Sequence, residues 1–309
     1  MRTAEQSIGF IGLGAMGLPM ARRLLAAGFR VRGFDVSADA LRALDEAGGE
    51  VADSPAGAAR DVDLVVLMVA SAQQVEAVLD APDGILAALA GGATVVLHST
   101  VAPAFSKVLG ERLAARGNFL LDAPVSGGVV GAEAGSLSVM AAGPGEAFAA
   151  SEAMLEVVAG KVYRLGDIPG LGSSVKMINQ LLAGVHIVSA AEAMALGTRV
   201  GADPRVLYDI ICHSAGGSWM FQNRVPRMLE DNPEVTSAVE IFVKDLGIVL
   251  DTGHELRFPL PLAAAAHQQF LAAAGAGLGR ADDSAVVRVY EKLTGVSIPA
   301  AARESGGGA

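Results

Sequence analysis

The sequence predicts an α/β fold, with a doubly wound sheet in the first half followed by an all-α domain in the second. Three observations predict it. Short apolar runs alternate with helix-length patterns through the first half, a glycine-rich turn joins the first run directly to the first helix, and strand signals stop after Gly172.

The strands are expected at 8–11, 31–34, 64–69, 94–97 and 119–122, and the helices between them at 16–27, 38–47 and 103–115. Continuous apolar runs such as Leu64-Val65-Val66-Leu67 suit parallel strands covered on both faces. Beyond Asp122 come a glycine-rich turn, a strand at 137–141, a helix from Glu146 and a last strand around 162–165. Pro169 and three glycines within 166–172 then mark a boundary. Ala/Leu/Met-rich stretches follow at 173–200, 204–213, 239–256 and 262–274, all helical in pattern. The expected division is therefore a doubly wound α/β domain over 1–168, an all-helical domain over 169–298, and a disordered tail over 299–309.

Composition excludes several functions. Of 309 residues, 52% are hydrophobic and 18% charged, a globular balance. The net charge of −10, with no Lys/Arg run, argues against nucleic acid, whose phosphates demand a basic face. The opening seven residues lack an apolar signal-peptide core, and no stretch is expected to reach the length of a membrane span, so a soluble cytoplasmic protein is expected. One cysteine, Cys212, rules out an internal disulfide and is expected to be buried packing.

The motif Gly12-Leu13-Gly14-Ala15-Met16-Gly17 follows the first strand and opens the first helix. In that context Gly12 makes the tight turn, Gly14 admits a pyrophosphate, and Gly17 allows helix and strand to pack closely, the Rossmann arrangement. The repeats Gly143-Pro144-Gly145 and Gly275-Ala276-Gly277-Leu278-Gly279 are set aside as loops or helix ends lacking a preceding strand. Asp35 ends the second strand where a carboxylate binds the adenosine ribose hydroxyls, so NAD is the expected cofactor. A 2′-phosphate would be repelled there, and the nearest cations, Arg30 and Arg32, lie on the strand itself. Met68, Val69 and Thr100 end later strands at the carboxyl edge, where nucleotides lie.

Asp122-Ala123-Pro124-Val125-Ser126-Gly127-Gly128 follows a strand, and its hydroxyl and backbone N–H groups suit a carboxylate, although such residues also make ordinary turns. Lys176 is an isolated charge among apolar neighbours, where burial would depress an amine's pKa. Gln180 lies one turn on, on the same helix face. His186 lies ten residues beyond Lys176, about 15 Å along a helix, and is expected to pack rather than react. Residues 218–223, with Trp219, suit either core or a substrate wall. His213, His254 and His267 show no ligand spacing with carboxylates, so no metal is expected.

Four motifs in order, Gly12-x-Gly14-x-x-Gly17, Asp122 to Gly128, Lys176-x-x-Asn179 and Phe242-Val243-Lys244-Asp245-Leu246, resemble the β-hydroxyacid dehydrogenases to about Leu293. The resemblance implies that Lys176 is the general acid/base, that Ser126, Gly127 and Gly128 hold a substrate carboxylate, and that Lys244 lies beside nicotinamide and substrate. It further implies a small hydroxy or sugar acid as substrate, its hydroxyls read by Asn179 and Gln180, and a homodimer or homotetramer. Gln180 departs from the asparagine common at its position.

Overall fold

The computed structural model describes residues 6–298, so the tail expected over 299–309 lies outside the described residues. The chain divides into two compact units between Met177 and Ile178.

The first unit runs β1 (Ser7–Ile11), α1 (Gly17–Ala26), β2 (Arg30–Phe34), α2 (Ala38–Asp45), β3 (Glu50–Val51), α3 (Pro55–Ala59), β4 (Leu64–Leu67), α4 (Ala72–Asp80), β5 (Thr94–Leu97), α5 (Pro103–Ala114) and β6 (Phe119–Asp122). It continues through β7 (Val125–Ser126), α6 (Gly128–Ala134), β8 (Leu137–Ala142), α7 (Gly145–Val158) and β9 (Ala159–Gly166). The sheet order is β3-β2-β1-β4-β5-β6-β8-β7, with β9 paired to β8. From β3 to β6 every pairing is parallel, with Ile8 opposite both Val31 and Leu64. The winding direction reverses between β1 and β4, which opens a crevice at their carboxyl ends.

Successive strand residues point to opposite faces, and the two faces bury separate cores. Leu64, Val66, Val96 and Leu121 pack with Met20 and Leu24 of α1 and Phe148 and Met154 of α7. Val65, Leu67, Val95 and Leu120 pack instead with Ala59 of α3, Leu79 of α4 and Leu109 of α5. Burial on both sides is why these strands carry no polar alternation.

The sheet is not parallel throughout. β8 pairs antiparallel with β6 at Asp122↔Ala142 and with β7 at Val125↔Val139. The segment between β7 and β8, residues 127–136, is too short for the dozen or more residues of a parallel crossover. Gly143 and Gly145 also need correction: β8 ends immediately before Gly143 and α7 begins at Gly145, so a strand does precede them. The third glycine of the dinucleotide pattern is what they lack.

α8 (Leu171–Arg199) crosses the division between the units. The second unit continues with α9 (Pro204–Cys212), α10 (Trp219–Met228), α11 (Val239–Glu255), α12 (Pro261–Ala273) and α13 (Val287–Thr294). α10 and α13 have no counterpart among the expected helices. Gly184 of α8 lies so close to α11 that a Cβ there would stand 2.9 Å from Leu246. Phe242 and Phe270 stack at 5.1 Å between ring centres, and the buried Asp283 receives Arg224 through two contacts of 2.6 and 3.0 Å. α8 has 29 residues, and an 18-residue window within it reaches a mean hydropathy of 1.5, so by length and composition it could cross a membrane, contrary to expectation. Its apolar residues Ile187, Ala191 and Met194 are buried within the protein. Cys212 is half-buried rather than buried, because it sits in the last turn of α9.

His98, just past β5, is buried and places Nδ1 2.5 Å from the Ala123 carbonyl oxygen. A carbonyl only accepts, so Nδ1 carries the proton and Nε2 is a buried acceptor without a hydrogen-bond partner. Burial pulls the imidazole down to about 4, outweighing the opposing bond to Ala123. Between pH 6.5 and 4 the unfolded chain therefore binds a proton that the folded chain refuses. His98 stabilises the fold fully above pH 6.5, and up to about 3 kcal/mol is lost as pH falls to 4. His98→Asn, whose amide can keep the bond to Ala123, should remove that part of the pH dependence in denaturant titrations at pH 7.5 and 4.5. An unaltered slope would contradict the assignment.

Candidate active site

The glycine loop and Asp35 meet at the carboxyl end of β1. Gly12 lies against the ends of β2 and β4: its N–H donates to the Phe34 carbonyl at 3.0 Å, and a Cβ would stand 2.4 Å from the Met68 carbonyl oxygen. At Gly17 a Cβ would stand 1.9 Å from the Gly12 carbonyl oxygen, so only glycine lets α1 start this close to the turn. Gly14 and Ala15 are exposed, Met16 is half-buried, and the N-terminus of α1 has neither a side-chain cap nor an acid in its first turn. The Leu18 and Met20 N–H groups bond back to the Gly14 and Met16 carbonyls and Pro19 has none, so α1 offers the exposed loop at Gly14 and Ala15 together with the positive end of its dipole.

Asp35 does more than mark a ribose site. Oδ2 accepts the Leu13 N–H at 2.7 Å and Oδ1 accepts the Ser37 N–H at 2.8 Å, so one carboxylate braces both the glycine loop and the chain leaving β2. Each oxygen keeps a lone pair for a hydroxyl. Arg32 is occupied elsewhere, by Glu50 at 2.8 Å and the Arg60 carbonyl at 2.8 Å, and Arg30 lies at the amino end of β2. Neither cation is placed to receive a 2′-phosphate. The Val69 N–H donates to Ser99 Oγ at 3.0 Å, and Thr100 follows, half-buried, at the same edge. These residues fit NAD: the loop and α1 would take the pyrophosphate, and Asp35 the ribose.

At the end of β6, the buried Asp122 carboxylate organises the start of α8. Oδ2 accepts the N–H groups of Gly170 and Ser173 at 2.8 and 2.9 Å, and Oδ1 accepts the Ser173 hydroxyl at 2.6 Å. Burial pushes its pKa up, and the bonds from Ser173 and Gly170 pull against that shift. Gly172 permits the approach, since a Cβ would stand 2.5 Å from the Asp122 carbonyl oxygen. Lys176, four residues further along α8, is 7% exposed. Ser126 is half-buried and pairs with Ser138, after which Gly127 and Gly128 are exposed at φ +136° and +64°. Both φ values lie in the positive region that favours glycine.

In the second unit the remaining polar residues form a chain. Asn179 Nδ2 donates to Gln180 Oε1 at 3.0 Å, and Gln180 Nε2 donates to Asp245 Oδ2 at 2.6 Å. Lys244 Nζ lies 2.9 Å from Asp245 Oδ1, as an ion pair. Both ends of the Gln180 amide are engaged in this chain, and Asn179 beside it is half-buried. Asp245, 2% exposed, stands in the Phe242 to Leu246 motif, which assigned it no role of its own. His186 is half-buried on α8. The run 218–223 divides, with Trp219 exposed and Phe221 buried in a stack with Tyr208 at 6.0 Å. His213 does stand one turn from Asp209, with Nδ1 3.5 Å from the carboxylate, as a single exposed pair.

A doubly wound sheet with a braced glycine loop and an acid at the ribose position defines a nicotinamide-dependent dehydrogenase. Residues 7–166 match the NAD binding domain of 6-phosphogluconate dehydrogenase, and residues 170–290 match the NAD-binding region of NADP-dependent 3-hydroxyisobutyrate dehydrogenase. The chain is 52% identical to the L-threonate dehydrogenase of Cupriavidus necator over 295 residues, covering 96% of this chain and 98% of that protein. It is 45% identical to the L-threonate dehydrogenase of Escherichia coli K12 over 299 residues, covering 96% and 98%. A crystal structure of a 3-hydroxyisobutyrate dehydrogenase from Salmonella typhimurium matches with a TM-score of 0.87 and 45% identity, covering 92% of this chain and all of that one. The chain belongs to the β-hydroxyacid dehydrogenase family.

Asp35→Ala should remove charge-assisted bonds worth roughly 1.5 to 3 kcal/mol, weakening NAD about 10- to 100-fold in a binding titration while narrowing the preference over NADP. A wild-type preference for NADP would contradict the role given to Asp35.

Proposed function

We propose that this enzyme oxidises the C2 hydroxyl of L-threonate to a 2-oxo acid, with Lys176 as the general base. The placement of Lys176 carries the reading: it is buried, on the helix turn that Asp122 ties to the carboxyl edge of the sheet. The stretches 176–186, 217–221 and 257–261 are those that most resemble L-threonate dehydrogenase, and the 52% identity with that enzyme from Cupriavidus necator supports the substrate.

NAD, when bound, supplies the hydride acceptor. The neutral Lys176 amine takes the hydroxyl proton as the C2 hydride leaves, so the C–O bond becomes C=O with no charge left on oxygen. Ser126 Oγ and the N–H groups of Gly127 and Gly128 hold the carboxylate and fix which carbon is presented. To Asn179 and Lys244 we assign the remaining oxygens. The local cations and N–H groups provide what an acidic protein otherwise lacks, a positive field for an anionic substrate. The enzyme acts in the cytoplasm as a homodimer or homotetramer, without nucleic-acid or membrane partners.

A panel of L-threonate, 3-hydroxyisobutyrate and 2-hydroxy-3-oxopropionate, each with its appropriate NAD redox state, tests the substrate, and L-threonate should give the highest kcat/KM. Lys176→Ala should lose about 10² to 10⁴ in kcat with NAD affinity retained, and Lys176→Arg should recover little because guanidinium does not give up its proton. Oxidation requires the neutral amine and should fall as pH drops, whereas reduction requires the ammonium form and should fall as pH rises. Near-wild-type turnover by Lys176→Ala would end this mechanism.

A further inference from the structure

The hydrogen bonds in the second unit have a direction, and Asp245 sets it. A carboxylate only accepts, so Gln180 must turn Nε2 toward Asp245, as it does at 2.6 Å. Oε1 of Gln180 then faces Asn179 and can be met only by a donor, so Asn179 must turn Nδ2 inward, as it does at 3.0 Å. The atoms of Asn179 not used in this chain are Oδ1 and one N–H. Neither amide has freedom to flip while the carboxylate is in place.

The arrangement is built rather than incidental. Asp245 is 2% exposed and Gln180 9%, so neither group can exchange its partner for water at little cost. The packing of Gly184 against Leu246 brings α8 and α11 together beside this contact, one turn on from Gln180 and one residue on from Asp245. Lys244 Nζ lies 2.9 Å from the other carboxylate oxygen, Asp245 Oδ1.

We propose that Asp245 is a positioning residue for substrate selection: acting through Gln180, it fixes the Asn179 amide with Oδ1 as acceptor for a substrate hydroxyl beyond the one oxidised. The site thereby favours polyhydroxy acids over otherwise equal acids carrying hydrogens there, since an acceptor left without its donor loses a hydrogen bond. The inference rests on the reading above, in which Asn179 faces the substrate.

The test compares L-threonate with 2-hydroxybutanoate, the same acid lacking the C3 and C4 hydroxyls, in the full-length enzyme with NAD. 2-Hydroxybutanoate is followed as a substrate or as a competitive inhibitor. Asp245→Asn allows either amide orientation, and should lower kcat/KM for L-threonate about tenfold through KM while leaving the constant for 2-hydroxybutanoate within twofold. Asn179→Ala should show the same pattern, and the double variant should lose no more than Asn179→Ala alone, because both changes remove one interaction. A merely structural role would weaken both acids equally. Equal losses on the two acids, or additive losses in the double variant, would overturn the proposal. If Asp245→Asn fails to fold, Asn179→Ala decides it, since undiminished discrimination there overturns it equally. Wild-type inactivity toward L-threonate would strike the substrate assignment instead, whereas wild-type activity with unaltered discrimination in the variants strikes only the role of Asp245.

Discussion

The Asp122 carboxylate is the constraint on which the chemistry depends. It stands at the end of β6, fully buried, and takes three hydrogen bonds from Gly170, just before α8, and Ser173, in its first turn. Burying a carboxylate is costly, and the cost is offset only while those donors stay in place. The bonds therefore hold the first turn of α8 against the sheet, and Lys176 follows one turn later. A strand end thus controls the position of the proposed proton acceptor, in keeping with the general placement of active sites at the carboxyl edge of doubly wound sheets.

Asp35 plays a similar part at the other ligand. Its bonds to the N–H groups of Leu13 and Ser37 give the glycine loop a fixed shape before any nucleotide arrives, so less ordering is left to occur on binding. In both places an acid accepts backbone N–H groups from a segment distant in sequence. Asp245 is the third example, with a side-chain amide, that of Gln180, as donor. Three carboxylates in an acidic chain thus serve to hold geometry.

Much of this was legible in sequence because it is local. The glycine loop, the strand before it and Asp35 obey a fixed spacing, and the apolar runs of β4 and β5 follow from burial on two faces. The antiparallel edge at β7 and β8 was not legible as such, since it depends on a connection too short to cross over rather than on any residue preference. α10 and α13 escaped because charged and polar residues dilute their apolar faces and Pro226 lies inside α10. The bonds from Asp35 to Leu13, Asp122 to Ser173 and Asp245 to Gln180 span 22, 51 and 65 residues, and no local pattern announces them. Gln180 was recognised as a departure from its relatives, but its partner was needed to see that the amide faces Asp245.

The central claim is that the Lys176 amine itself accepts the proton, and chemical rescue tests it most directly. In Lys176→Ala, small primary amines added to the assay should restore L-threonate oxidation in proportion to their free-base concentration, with rates rising with amine basicity. If no amine restores activity to a variant that still binds both NAD and L-threonate, Lys176 is not the proton acceptor.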